Sequence, residues 1–182
     1  MGSSVLFQRV EKRVLFAATP SMVADLLPPS AGYDANQAAL TIVYQNQIYF
    51  AGSDGSSGQE LWRFDPADNS TTLVRNIAAG AAGSNPGDLV VLNNELLFTA
   101  DDGVNGKALW KTDGTAIGTM MVKDIDPVMT GGEISFLGKI GNTVLLSAND
   151  GVHGLELWKS DGTSTGTALV KDICEGSQSN IS

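Results

Sequence analysis

The sequence predicts an all-β chain of three tandem, four-stranded antiparallel units, and three observations carry that prediction. Trp62, Trp110 and Trp158 are separated by 48 residues twice over, with no insertion. The same interval links Asp54, Asp102 and Asp150, Gly58, Gly106 and Gly154, Asp65, Asp113 and Asp161, and Ile77, Ile125 and Ile173, which makes it an internal repeat. Between these markers, short apolar runs alternate with Asp-Gly, Asn-Asn and Gly-Asn pairs, residue types that tolerate the positive φ of tight antiparallel connections.

The second unit shows the elements most plainly. A strand from Asp88 to Leu92 ends at the Asn93-Asn94 turn, and a second runs from Glu95 to Ala100 into the loop DDGVNG at 101–106. Lys107 to Thr112 forms the third, DGTAIG at 113–118 turns the chain, and Thr119 to Asp124 forms the fourth. The third unit repeats the order, with Gly141-Asn142 at the first turn, NDGVHG at 149–154 and DGTSTG at 161–166. From Leu109 to Ile125 and Leu157 to Ile173, twelve of seventeen aligned residues are identical, whereas the first unit has drifted most.

A four-stranded meander cannot bury both faces alone, so the copies must stack. A period of 48 falls between the roughly 40–45 residues of one blade class and the roughly 50 of another, so a β-propeller-like arrangement is expected. Three blades, at about 36–80, 84–128 and 132–176, make one repeat domain over 36–182, preceded by a leader and linker at 1–35. Closed propellers carry roughly 4–8 blades, so either the array continues past Ser182 or a homodimer completes a six-bladed ring. Periodicity leaves a β-solenoid or β-prism open as the way of closing.

Composition narrows the function classes. At 182 residues with a net charge of −9, the chain would repel phosphate backbones, which excludes nucleic acid as a partner. One Cys and one His exclude a disulfide framework and leave too few soft ligands for zinc or iron–sulfur chemistry. No apolar run approaches the roughly 18 residues of a membrane span. Arg9, Glu11, Lys12 and Arg13 interrupt the start where a standard signal peptide would be continuously apolar.

The segments GLELWKSDGTSTGTALVKDI at 154–173 and GKALWKTDGTAIGTMMVKDI at 106–125 resemble the bacterial ELWxxDGT repeat family, tandem arrays in large predicted surface or secreted proteins. The likeness spans roughly 140 residues and is fullest at Glu156, Leu157, Trp158, Asp161, Gly162, Thr163, Gly166 and Thr167. Ala108 replaces the Glu in the second copy. In the first, Glu60, Leu61 and Trp62 match while Asp65-Pro66-Ala67-Asp68 stands in place of the DGT hairpin. VEKRVLFAATP at 10–20 is similar to the LExR-x-LL leader of planctomycete-type surface proteins, with Val10 for Leu and Ala17 for the usual Ser or Asp. Both resemblances imply an extracellular or cell-surface location in a bacterium, and neither implies an activity.

The candidate sites follow from the repeat. Trp62, Trp110 and Trp158 could stack on sugar rings, one platform per blade, or serve as inter-blade core. Asp54, Asp101, Asp102 and Asp150 offer hard oxygens, so Ca²⁺ is the single candidate ion and no cofactor is otherwise expected. Their spacing lacks the EF-hand pattern, and Asp-Gly also suits a plain turn. GTSTG at 162–166 has the form of a nucleophile elbow, but Ser164 falls in a predicted hairpin, is Ala116 in the preceding copy, and has only His153 as a base. Arg63, Lys111, Lys159, Arg75, Lys123 and Lys171 read as a solvated face or cross-strand pairs, and Cys174 as an incidental thiol. The expected function is a non-catalytic scaffold, adhesion or protein-interaction module, with a carbohydrate-binding propeller as the alternative; the expected partners are a protein or glycan ligand.

Overall fold

The computed structural model describes residues 41–127 and 133–173. The leader and linker at 1–35 and Cys174 lie outside the described residues.

Twelve strands follow one another: β1 (Thr41–Tyr44), β2 (Gln47–Gly52), β3 (Glu60–Asp65), β4 (Ser70–Arg75), β5 (Gly87–Leu92), β6 (Glu95–Asp101), β7 (Lys107–Thr112), β8 (Met120–Lys123), β9 (Ile134–Ile140), β10 (Thr143–Asn149), β11 (Leu155–Ser160) and β12 (Ala168–Lys171). They make three four-stranded sheets, β1-β2-β3-β4, β5-β6-β7-β8 and β9-β10-β11-β12, each a meander in chain order with antiparallel neighbours. No helix occurs among the described residues. The strands of the second unit fall within a residue of their expected limits, because the turn chemistry marks both ends. Gln45 and Asn46, at φ 50 and 61°, turn β1 into β2, and Asn93 and Asn94, at 49 and 61°, turn β5 into β6. Two consecutive positive φ values match the right-handed twist of a two-residue hairpin.

One cross-strand row recurs in every sheet. Phe50, Trp62 and Leu73 lie side by side in the first, Phe98, Trp110 and Met121 in the second, and Leu146, Trp158 and Leu169 in the third. Beside each row the register slips, between Leu61/Trp62, Leu109/Trp110 and Leu157/Trp158. Since Trp62 faces Leu73 and Leu61 faces Arg75, the extra residue is Val74, and by the same register Val122 and Val170. The bulge bends the outer strand and turns Val74 and Val122 into the cores between sheets.

Two cores join the three sheets. Tyr44, Tyr49, Leu61, Val74 and Ile77 of the first sheet pack on Leu96, Phe98, Ala100, Ala108 and Trp110 of the second. Leu92, Leu97, Leu109, Val122 and Ile125 of the second pack on Ile134, Val144, Leu146, Ala148 and Trp158 of the third. Nine of the ten residues in the second list repeat the first at an offset of 48, the exceptions being Ala108, whose counterpart is Glu156, and Ile134, whose counterpart is Pro86, so the chain builds one interface twice. In each copy the Trp faces back to the preceding sheet and the Leu before it faces forward, as strand alternation requires. Removing such large side chains from water stabilises by about 1.5–3 kcal/mol each, and this burial holds the sheets together.

Candidate functional site

The loops between the second and third strands carry the acidic residues expected to attract a cation. Each is folded around its own aspartate. Asp54 Oδ1 accepts the amides of Ser56 and Ser57, both at 2.8 Å, and its other oxygen accepts the Ser57 hydroxyl at 3.2 Å. Asp102 Oδ1 accepts the Val104 and Asn105 amides at 2.9 and 2.8 Å, and Asp150 Oδ1 accepts those of Val152 and His153 at 3.0 and 2.8 Å. Asp101 Oδ1 accepts the Gly103 amide at 2.7 Å. The amides of Ser57 and Ser56, with the Ser56 hydroxyl, pull Asp54 down to about 2. For Asp102 and Asp150 partial burial raises the carboxyl, but amide and side-chain donors outweigh it and leave both below the usual range. These oxygens accept the amides of their own turns. Among the described residues, no cluster of three or more His, Cys, Asp or Glu side chains could hold a metal ion.

The second Asp102 oxygen accepts Asn105 Nδ2 at 2.7 Å, and in the third unit His153 Nδ1 takes that place against Asp150 at 2.7 Å. The bond to Asp150 raises the His153 pKa, since it favours the imidazolium; the charges of Asp150, Asp172 and Glu156 add to the effect. A raised histidine contributes stability that is complete below its unfolded value of about 6.5 and is lost as pH rises through the folded value; Asp150, being lowered, contributes above about 3.9 and loses its share in acid. The pair is thus at full strength between those limits. His153→Asn, which copies Asn105, is expected to keep the bond and flatten the fall in urea midpoint between pH 6.5 and 8. An unchanged slope would assign that pH dependence elsewhere.

The hairpins D-G-T-x-x-G-T are closed by their own side chains. Asp113 Oδ1 accepts the Thr115 amide and hydroxyl at 2.8 and 2.7 Å, Thr115 Oγ1 accepts the Gly118 amide at 2.9 Å, and Thr119 Oγ1 donates to Thr115 O at 2.6 Å. Asp161, Thr163, Gly166 and Thr167 repeat the pattern. The last Gly is required by space, because a Cβ on Gly166 would lie 2.0 Å from Asp161 Oδ1. Gly166→Ala is expected to cost about 1–3 kcal/mol by chemical denaturation, as overpacking does where the neighbour is held. Ser164 sits exposed in this turn and His153 Nδ1 is bound to Asp150, so among the described residues the elbow-like pattern forms no nucleophile–base pair.

The tryptophans are not equivalent. Trp110 and Trp158 are buried in the two cores, 5% and 7% exposed, each packed with the preceding sheet, so of the two roles open to them they fill that of core between units. Trp62, with no sheet before it among the described residues, is half-buried. Two of the basic residues also reach across to the next sheet. Arg75 donates to the Thr119 carbonyl, and Lys123, its repeat counterpart, donates to the Thr167 carbonyl at 2.7 Å while lying 5.8 Å from the Trp158 ring centroid. These bonds latch one sheet to the next, although Arg75, like Lys159 and Lys171, is also exposed to solvent. Lys111 does form the expected cross-strand pair, with Glu95 at 3.0 Å.

Two features escape sequence reasoning. Glu60 is fully buried, its carboxylate accepting the Ile77 and Ala78 amides at 3.1 and 3.0 Å and the Ser84 hydroxyl at 2.5 Å, so it ties the crossover between the first two sheets to β3. Glu156 accepts the Ile173 amide at 3.2 Å in the same way. The second feature is a cleft of about 360 Å³ between the second and third sheets, lined by Lys107, Glu133, Ile134, Ser135, Ser147 and Leu155. Beside it Asp88, at φ 50°, accepts Thr99 Oγ1 at 3.1 Å and Ser135 Oγ at 3.2 Å and lies 3.6 Å from Lys107 Nζ. The cleft offers hydroxyls and an ion-paired ammonium, groups that can hold a polar surface by hydrogen bonds. Compared with known proteins, the chain matches no protein-family model and no curated protein.

Proposed function

We propose that the chain is a non-catalytic repeat module of a bacterial extracellular or cell-surface protein, stacked in propeller-like fashion and acting as a scaffold for adhesion or protein interaction. The observation that carries this reading is how the recurring polar groups are used. The loop aspartates, the hairpin Asp and Thr, the buried Glu and the basic latches each bind the chain's own backbone, so the 48-residue pattern serves architecture. Adjacent β1 and β5, and two copies of one intersheet core, support the propeller-like stacking. The likeness to ELWxxDGT arrays supports the location.

The outward surface suits shallow contacts with a protein. Val104 and Val152, repeat counterparts at the tips of neighbouring loops, are 75% and 63% exposed. The test is binding of the labelled chain to cell envelopes of the bacterium that makes it. Saturable binding, weakened several-fold by Val104→Asp with Val152→Asp at unchanged stability, is expected. A substrate turnover abolished by replacing one loop carboxylate would contradict the reading. Glycan-array binding lost with Trp62→Ala would replace it by the carbohydrate-binding alternative, now confined to the one tryptophan that keeps an accessible face.

A further inference from the structure

Among the described residues, the two halves of the repeated interface are each left open once. On the third sheet, Ile140, Val170 and Ile173 are 70%, 47% and 55% exposed, although their counterparts Leu92, Val122 and Ile125 are 1%, 8% and 6% exposed beneath the next sheet. On the first sheet, Phe50 and Trp62 are half-buried and Val43 is exposed, whereas Phe98 and Trp110 are covered by the sheet before. One chain thus carries both partners of a contact that it already makes twice internally.

We propose that the open face of the third sheet docks on the open face of the first sheet of a second copy, head to tail, and that two such junctions close a ring of two chains. The proposal rests on the propeller-like stacking above and deepens it by assigning the faces and their register. The three sheets of the described residues, taken twice, make six, which lies within the roughly 4–8 blades that close. A two-copy ring also leaves neither face uncovered.

The register follows from the internal junctions. Lys171 is the third member of the series Arg75 and Lys123, so it reaches across to the position of Thr71 on the second copy and lies over its Trp62, as Lys123 lies over Trp158. The first sheet departs from the repeat at Pro66, where Gly114 and Gly162 stand in the others. The facing residue resolves this. A Cβ on Gly114 would meet the Tyr49 hydroxyl at 2.4 Å, but one on Gly162 would make only ordinary contacts, with Leu97 at 3.6 Å, Leu92 at 3.7 Å and Glu95 Oε2 at 3.9 Å. The residue that would face Pro66 is Leu145, of the same type as Leu97, so the third sheet has the shape that leaves room for proline.

Light scattering of the intact chain over a range of concentrations, at physiological ionic strength to screen the charge of −9 on each copy, tests the pairing. The mass is expected to rise from 19.0 kDa to a plateau at twice that value. Val170→Asp and Val43→Asp each alter an exposed side chain and should weaken association at least ten-fold with an unchanged circular dichroism spectrum. Mixing the two variants should restore a dimer, because one intact junction remains between them. A constant single-chain mass, growth without a plateau, or Val170→Asp without effect would overturn the proposal. A single chain in which Trp110 and Trp158 stay shielded from quenchers overturns the pairing alone, whereas their exposure would overturn the stacking as well.

Discussion

Trp110→Ala is expected to lower stability by about 3–5 kcal/mol, the largest effect of any single substitution in this chain. The indole lies between Phe98 and Met121 in its own sheet and closes the core shared with Tyr49, Leu61 and Val74 of the preceding one. Its removal leaves a cavity lined from both sides, so the lost transfer energy and the lost contacts add. Trp110→Phe should cost only about 1–2 kcal/mol, because the indole N–H has no hydrogen-bond partner to lose. Trp62→Ala, at the half-buried position, should cost less than half as much as Trp110→Ala at low protein concentration. Urea denaturation of the three variants checks the order; equal losses at positions 62 and 110 would contradict the one-sided packing.

The second large effect is expected at Glu60. Replacing it by Ala strands the amides of Ile77 and Ala78 and the hydroxyl of Ser84 in a site without water access. Unsatisfied buried groups cost about 1–3 kcal/mol each, so a loss of about 3 kcal/mol or more is expected. Hydrogen exchange should also speed up at Ile77 and Ala78 before it does in β3. Glu60→Gln retains one acceptor oxygen and should fall between the two. A loss under 1 kcal/mol for Glu60→Ala would mean that the crossover is held by other contacts. The second unit shows how such a substitution can be accommodated: with Ala108 in place of the Glu, Asp124 Oδ1 accepts the Asp126 amide within the crossover itself.

These two residues also mark what could be read from the chain alone. The strands and turns were legible because their causes are local. Asn93 and Asn94 adopt positive φ where the sequence demands a two-residue turn, and the hairpin from Asp113 to Thr119 is closed by side chains within seven positions of one another. The period of 48 likewise announced three equal sheets. Which face of a sheet meets which neighbour was not legible, since alternation along a strand identifies two faces and assigns neither. Trp62, Trp110 and Trp158 look identical in sequence, yet two are core and one is half-buried only because of what precedes each sheet.

The long-range polar ties were hidden for a related reason. Glu60 and Glu156 were visible as part of a recurring Glu-Leu-Trp, but a glutamate on a strand usually faces water, and its burial depends on amides 17 and 18 residues later. Arg75 and Lys123 looked like ordinary surface cations. Their acceptors are carbonyls 44 residues away on the next sheet, and nothing local points to them. The acidic loops were ambiguous in sequence between ion ligands and turn formers, and in the structure their oxygens accept amides of their own turns.

The central claim is that the chain reuses one interface, with Trp110 and Trp158 each turned back onto the sheet before it. Iodide or acrylamide quenching of three single-tryptophan variants, the other two positions replaced by Phe, tests it most directly. At low protein concentration the variants that retain Trp110 or Trp158 should emit at short wavelength and resist quenching, while the one that retains Trp62 is quenched several-fold more readily. Trp110 or Trp158 quenched as readily as Trp62 in the folded protein would contradict the account.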